Sequence, residues 1–239
     1  MDYQNLTIIE SLDLMRRGQV SAEQLIAVCR AEIEAKNLVL NALIADTISV
    51  DDLAAPLSGE LGGIPIVVKD LIDVAGWPTR GGSPKFFGQE PALRDAFVVD
   101  RLRYAGAKLL GKANTHEVAL GLTGINLHTG PVRNPHNPER ISGGSSSGSA
   151  VAVASGMAFG ALGTDTGGSI RTPAALCGVV GFKPTFGRVS TRGVLPLSWN
   201  LDHVGPLART VADAALLYSV ISGYDPQDPN CVLVPPAFQ

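Results

Sequence analysis

Charged, aromatic and cysteine residues are all scarce in this chain of 239 residues. Charged side chains make up 17% of it, and the formal net charge is −3. With no basic excess, electrostatic binding to nucleic acid or to an anionic membrane surface is not expected. The three cysteines, Cys29, Cys177 and Cys231, are odd in number and far apart. They argue against a disulfide scaffold and predict a reduced, cytoplasmic setting.

Metal-binding and membrane-spanning patterns are missing as well. The four histidines do not cluster at the spacing of metal ligands. The longest small and apolar stretch, residues 149–163, is too short and too rich in glycine to span a bilayer. Charges between Glu10 and Arg17 interrupt the first segment, so no secretory signal is predicted. Neither a metal nor a membrane is therefore expected as a partner.

What the chain does contain is an alternation of helical and strand-like segments. With 45% hydrophobic residues, it is long enough for one globular domain with a substantial core. Residues 149–163 read as a buried helix that runs into a strand, and the whole pattern predicts an α/β fold. Helices are predicted at 5–17, 21–36, 97–105, 115–120 and 210–221, and strands at 41–45, 64–68, 107–110, 160–163 and 178–182.

Two loops rich in glycine and serine are the most informative stretches. The second loop has the sequence G-T-D-T-G-G-S-I-R-T-P-A-A at 163–175 and contains Ser169. Glycine lets backbone N–H groups face a ligand, so the N–H groups of Thr166, Gly167, Gly168 and Ser169 could form an oxyanion hole. An isolated G-G-S would more often be a tight turn with an exposed serine. The presence of another serine loop, and of a strand that ends in a lysine, favours a nucleophilic role for Ser169.

The first loop, G-G-S-S-S-G-S-A at 143–150, is ambiguous by composition. It lacks the G-K-[ST] ending of a P-loop and the G-x-G-x-x-G spacing of dinucleotide sites, so phosphate binding is not favoured. Ser145, Ser146 and Ser147 follow one another, and any of them could be structural.

Lys69 ends an apolar run, I-P-I-V-V-K, that reads as a strand. A lone lysine there would usually extend to water. If it is buried instead, desolvation lowers its pKa and allows it to act as a base. Lys112 and Lys183 are rival lysines whose surroundings look structural. Lys69, with the two serine loops, supplies the parts of a Ser–Ser–Lys hydrolase.

At these residues the chain resembles the amidase signature family. The resemblance covers I-P-I-V-V-K-D, G-K-A-N-T-H-E, both serine loops and L-D-H-V-G-P, and so nearly the whole chain. It implies a central mixed β-sheet between helices, with residues 1–239 as the catalytic core and the catalytic region at about 60–210. It assigns Ser169 as nucleophile, Ser145 as the bridging serine on a cis peptide bond, and Lys69 as base.

The resemblance also implies the chemistry and a substrate pocket. The expected reaction is acyl transfer through an acyl-enzyme, with no metal or organic cofactor. Ala119, Leu120 and Gly121 match a segment that often lines the acyl pocket in the family. Arg171 could bind an acidic substrate, although a structural ion pair is the favoured interpretation. Asp165 is expected to order the glycine loop and not to act as a base.

Three functions remain open. The first is hydrolysis of a linear carboxylic amide or of a urea-like C–N bond. The second is an A-type subunit of a tRNA-dependent amidotransferase, although T-H-E-V-A-L-G-L-T-G at 115–124 departs from the M-D-E-F-A-M-G-S-S pattern associated with it. The third is a non-catalytic remnant.

Chain length bears on all three functions. Members of the family are usually about double this length, so the chain is expected to be the N-terminal half of the usual domain. A C-terminal half or a second polypeptide would complete the pocket, and homo-oligomers are expected.

Overall fold

A mixed β-sheet forms the centre of the protein. The computed structural model describes residues 3–48, 58–85 and 89–233. Within these ranges the sheet has five strands, in the spatial order β2-β1-β3-β5-β4. β1, β2 and β3 run parallel, whereas β5 is antiparallel to both β3 and β4. The strands are β1 Pro65–Lys69, β2 Lys108–Ala113, β3 Gly160–Asp165, β4 Val180–Gly181 and β5 His203–Ala208.

Six α-helices surround this sheet in the described part of the chain. Their bounds are α1 Ile8–Arg16, α2 Ala22–Leu40, α3 Phe97–Tyr104, α4 Ser147–Ala154, α5 Arg171–Cys177 and α6 Val211–Ile221. The capping box predicted at Ser21 and Gln24 is present, with the Ser21 hydroxyl accepting from the Gln24 N–H. None of the described helices combines the length and apolar character needed to cross a membrane.

Two glycines of β3 show how the helices divide between the faces of the sheet. A Cβ on Gly160 would meet Leu217 of α6 and Ile8 of α1. A Cβ on Gly163 would instead meet Ser146, one residue before α4. Positions three apart on a strand face opposite sides. The sheet therefore lies between α4 on one face and α1 with α6 on the other, which is the expected mixed α/β arrangement.

Burial on both faces explains the apolar composition of the central strands. Every residue of β1, β2 and β3 is buried. Parallel strands covered by helices on both sides read as continuous apolar runs, which is why β1 was predictable from sequence. The exceptions are three lysines, Lys69, Lys108 and Lys112, which are at most 2% exposed, and the buried Thr164 and Asp165 at the end of β3.

Several sequence-based element assignments were wrong. The segment 41–45 forms only an isolated bridge, Leu43 to Ala113, and 115–120 forms a short 3-10 turn instead of an α-helix. Val118 and Ala119 in that turn have φ angles of 43° and 59°, outside the helical region. Helix α5 and strand β5 were not predicted. The predicted linker at 46–63 lies partly outside the described residues.

Helix α4 approaches the backbone of two neighbouring segments at Gly148. A Cβ there would collide with the carbonyl oxygen of Ala42 and would lie 2.5 Å from the Asn114 nitrogen. We expect Gly148→Ala to lower the free energy of unfolding by about 1–3 kcal/mol, because backbone atoms cannot move aside cheaply. Gly167→Ala is the matched control, since no atom lies within 4 Å of a Cβ at that position. Urea denaturation of both variants measures the effect, and equal stabilities would contradict it.

Candidate active site

The predicted catalytic residues meet at one edge of the sheet. β1 ends at Lys69 and β3 ends at Asp165. Because these strands are parallel, their carboxyl ends lie at the same edge, the usual location of sites in α/β sheets. Ser145 comes two residues before α4, and its peptide bond with Gly144 is cis. Ser169 comes two residues before α5.

Lys69 is enclosed between hydroxyl groups. Its side chain has no exposed surface. Nζ lies 2.7 Å from Ser145 Oγ and 2.7 Å from Thr164 Oγ1. Burial lowers the pKa of Lys69 to about 7, and the charges of Asp165 and Asp202 oppose that effect only in part. A large fraction of this amine is therefore uncharged near neutral pH.

The two rival lysines have different partners. Lys112 is also buried, but its Nζ lies 3.8 Å from Asp70 Oδ1 and donates to Thr79 Oγ1 and to the Ile72 carbonyl. Burial lowers the pKa of Lys112 to about 8. Lys183 donates to the Pro184 carbonyl. Neither lysine forms a hydrogen bond to a serine hydroxyl among the described contacts.

The structure separates the three consecutive serines. Ser145 Oγ accepts from Lys69, whereas Ser146 Oγ donates to the Thr164 carbonyl at 3.0 Å. Ser147 Oγ lies against backbone carbonyl oxygens at 3.4 and 3.5 Å. The Ser145 carbonyl is itself held by Thr115 Oγ1 at 2.9 Å. Only Ser145 among the three thus presents its hydroxyl to the amine.

The second loop is packed directly against the first. The Ser146 N–H donates to the Ser169 carbonyl at 3.0 Å, and Ser169 is 4% exposed. No hydrogen bond between Ser145 Oγ and Ser169 Oγ is present among the described residues.

A buried carboxylate shapes the Ser169 loop. Asp165 accepts from the N–H groups of Gly168 at 2.8 Å and Ile170 at 3.1 Å. Burial raises the pKa of Asp165, but the bonds from Arg171, Ile170 and Gly168 outweigh it, and the net pKa is lowered. The Gly168 N–H, one of the four predicted oxyanion donors, is thus engaged by Asp165, and the donor role of Thr166, Gly167 and Ser169 stays a prediction.

Arg171 forms the ion pair that was expected of it. Its Nε and Nη2 both lie 3.0 Å from the Asp165 carboxylate, while the side chain remains 53% exposed. Paired in this bidentate geometry, Arg171 holds the start of α5 against the end of β3. Its suggested contact with an acidic substrate remains a prediction.

The segment predicted to line a substrate pocket runs beside both serine loops. A Cβ on Gly144 would lie 3.2 Å from the Gly121 carbonyl oxygen, and one on Gly168 would lie 4.0 Å from Leu122. Ala119 is buried, whereas Leu120 is 69% exposed. Leu176 of α5 approaches the first loop from the other side, 3.1 Å from a Cβ on Gly143. The surface around the serines is therefore partly apolar and open.

Sequence reasoning missed two residues of this site. Thr164 is a second hydroxyl partner of Lys69, and Asp202 bonds to the Thr166 hydroxyl at 2.5 Å. The only available signal was their position, Thr164 within G-T-D-T and Asp202 before a histidine in L-D-H-V-G-P. No group of His, Cys, Asp and Glu in the described ranges is arranged to hold a metal ion.

Comparison with known proteins gives relatives of several activities. The A-type subunit of the glutamyl-tRNA(Gln) amidotransferase from Nitratidesulfovibrio vulgaris is 44% identical over 95% of this chain and 48% of its own length. AtzE, which belongs to the 1-carboxybiuret hydrolase from Pseudomonas sp. strain ADP, is also 44% identical, over 93% of this chain and 51% of its own. The chain thus spans about half the length of the curated relatives it matches.

A solved structure shows the same fold. The native peptide amidase from Stenotrophomonas maltophilia has a TM-score of 0.90 and 38% identity, over 98% of this chain and 51% of the amidase. The family model described as Amidase matches residues 26–239. The chain therefore belongs to the amidase signature family.

Proposed function

We propose that this chain carries the catalytic region, at about residues 60–210, of an enzyme that hydrolyses a carboxylic amide or urea-like C–N bond. The observation that supports it most directly is the buried hydrogen bond between Lys69 Nζ and Ser145 Oγ. A lysine with a pKa of about 7 can accept a proton under physiological conditions. No cofactor takes part in the proposed reaction.

The proposed reaction passes through an acyl-enzyme. Neutral Lys69 accepts a proton from Ser145 Oγ through its lone pair, while one of its N–H groups donates to Thr164. Ser145 in turn accepts the proton of Ser169 Oγ, which attacks the carbonyl carbon. The proton then returns through Ser145 to the leaving amine as the C–N bond breaks. Water hydrolyses the acyl-enzyme along the same path.

Charge on the carbonyl oxygen is stabilised by the Ser169 loop. As the tetrahedral intermediate forms, the oxygen gains negative charge and needs fixed donors close by. The N–H groups of Thr166, Gly167 and Ser169 are placed on one short turn, and Asp165 holds the rest of that turn. The pocket for the acyl group is proposed at Ala119, Leu120 and Gly121.

The second candidate is an A-type subunit of a tRNA-dependent amidotransferase. The relative with that name and the hydrolase relative are equally similar to this chain, at 44% identity. The departure of residues 115–124 from the pattern associated with the amidotransferase subunit favours the hydrolase function. Release of ammonia from a small amide without ATP or tRNA would separate the two functions. A non-catalytic remnant is disfavoured because Lys69, Ser145 and Ser169 are all present.

A further segment or polypeptide is proposed to complete the pocket. Leu120, Leu122 and Leu176, which flank the serine loops, are 69%, 47% and 42% exposed. Such a patch beside a site favours association, including homo-oligomers. A cytoplasmic location is proposed from the three cysteines, which are buried and unpaired.

Ser169→Ala should abolish covalent labelling by a fluorophosphonate. Loss of the attacking oxygen should lower the rate by a factor on the order of 10⁶. Ser149→Ala is the matched control, because Ser149 is a buried serine whose hydroxyl donates to the Leu162 carbonyl and not to a residue of the proposed triad. Intact-mass measurement detects the adduct. An adduct on the Ser169→Ala protein would refute the assignment of the nucleophile.

The labelling rate should rise with pH, with a midpoint near 7, the pKa of Lys69. The reactive form is the neutral amine, so its fraction increases as the pH passes upward through that value. Lys69→Arg should remain unreactive throughout, because a guanidinium stays protonated. Labelling rates measured from about pH 6 to about pH 9 test this dependence on pH. A rate that is flat across this range would exclude a lysine base.

The chain alone should self-associate or show weak activity. Size-exclusion chromatography with light scattering measures its mass, beside an amide assay with and without an added C-terminal segment. Leu122→Ser with Leu176→Ser should reduce association, whereas Leu38→Ser, at a residue 95% exposed near the end of α2, should not. A fully active monomer of 24.9 kDa would contradict the proposal.

A further inference from the structure

Asp202 links two loops at the edge of the candidate site. It immediately precedes β5 and is 8% exposed. Its Oδ1 accepts from Thr166 Oγ1 at 2.5 Å. Its Oδ2 accepts from the N–H groups of Leu197 at 2.8 Å and Ser198 at 2.9 Å. Both oxygens of this carboxylate are thus engaged, and one of them holds the residue that begins the T-G-G-S turn.

The side chain of His203, the next residue, contacts the backbone carbonyl that leads into the same turn. Its Nδ1 lies 3.1 Å from the Asp165 carbonyl oxygen and 2.7 Å from that of Leu201. Both neighbours are acceptors, so Nδ1 carries the hydrogen. Nε2 faces Lys183 Nζ at 3.3 Å. His203 therefore donates through Nδ1 toward the Asp165 carbonyl oxygen.

The contacts of His203 and Asp202 meet at the peptide group that joins Asp165 to Thr166. In a planar trans peptide, the N–H points away from the C=O, so orienting the Asp165 carbonyl also orients the Thr166 N–H. Asp202 fixes the side chain of the same Thr166. In the described part of the chain, no atom beyond its sequence neighbours lies within 4 Å of a Cβ built on the following Gly167, so packing does not hold that position. The direction of this N–H therefore depends on contacts at the two ends of the turn.

Given the proposed acyl transfer at Ser169, we infer that Asp202 is a positioning residue that acts through the Thr166 hydroxyl. Together with His203, it directs the Thr166 N–H toward the oxygen that becomes negatively charged. Asp165 anchors the far end of the turn, at Gly168 and Ile170. Asp202 anchors the near end, and the donors between the two carboxylates are preorganised.

A second effect of Asp202 makes its role measurable. Burial lowers the pKa of Lys69, and the charges of Asp165 and Asp202 raise it by a smaller amount. His116 is a further titratable neighbour, and its own pKa is lowered by burial and by the charge of Lys69. Removing the charge of Asp202 should therefore move the acid limb of the pH profile to lower pH. Removing only the Thr166 hydroxyl should leave that limb in place.

The test compares fluorophosphonate labelling rates across pH for Thr166→Val, Asp202→Ala, Asp202→Asn and the double variant Thr166→Val with Asp202→Ala. Thr166→Val keeps the shape of the side chain and the loop contacts of Asp202. It should lower the plateau rate by about 10-fold, less than the loss of a whole donor would. Asp202→Asn can keep the hydrogen bonds, since its amide can donate to Thr166 and accept from the 197–198 loop. Asp202→Asn should retain most of the plateau labelling rate and should shift the acid limb of the pH profile to lower pH.

The matched control is Thr191→Val, which removes another threonine–aspartate hydrogen bond, from Thr191 Oγ1 to Asp228 at 3.1 Å. It should label at the wild-type rate. Asp202→Ala should be slowed at least as much as Thr166→Val, because it removes the Thr166 hydrogen bond and also those from Leu197 and Ser198. The double variant should be no slower than Asp202→Ala, because the Thr166 hydroxyl acts through Asp202.

Wild-type rates for Thr166→Val, or additive losses in the double variant, would overturn the inference while leaving the proposed function intact. Absence of a label on the wild-type protein would overturn both. Thermal unfolding of each variant establishes that the proteins compared are folded.

Discussion

A lysine that is taken out of water must either meet an opposite charge or give up its proton. Lys69 on β1 and Lys112 on the adjacent strand β2 meet this constraint differently. Lys112 lies 3.8 Å from Asp70, whereas the partners of Lys69 within hydrogen-bonding distance, among the residues described, are the hydroxyls of Ser145 and Thr164. The proposed relay depends on this choice of partners, since hydroxyls leave the amine free to exchange a proton with a serine. A carboxylate in their place would hold the charge.

The loop that carries Ser169 is shaped by a carboxylate more than by its own sequence preferences. Asp165 accepts from three backbone N–H groups and from two nitrogens of Arg171. This arrangement ties the last residue of β3 to the first residue of α5, so the turn cannot move without breaking several charge-assisted bonds. Of the five residues between them, Gly168 and Ile170 donate their N–H groups to Asp165, and the other three carry the proposed oxyanion donors.

The sequence predicts the parts of this protein whose causes are local. The capping box at Ser21 and the apolar run before Lys69 identify α2 and β1 directly. Strand β5 is missed because Gly205 and Pro206 interrupt it, and its place is fixed by pairing with β3. Composition cannot choose among Ser145, Ser146 and Ser147, since the choice depends on which hydroxyl meets Lys69, 76 residues away. Thr164 and Asp202 escape notice for the same reason.

The burial of Lys69 also links catalysis to the stability of the fold. In the unfolded chain this lysine titrates near its ordinary value of 10.5, but in the folded protein it titrates at about 7. Between these values the unfolded chain binds a proton that the folded protein does not, so the free energy of unfolding rises with pH. Below the lower value both states are protonated, and the folded protein carries the full cost of a buried charge. Proton release on folding therefore favours the same uncharged amine that the proposed relay requires.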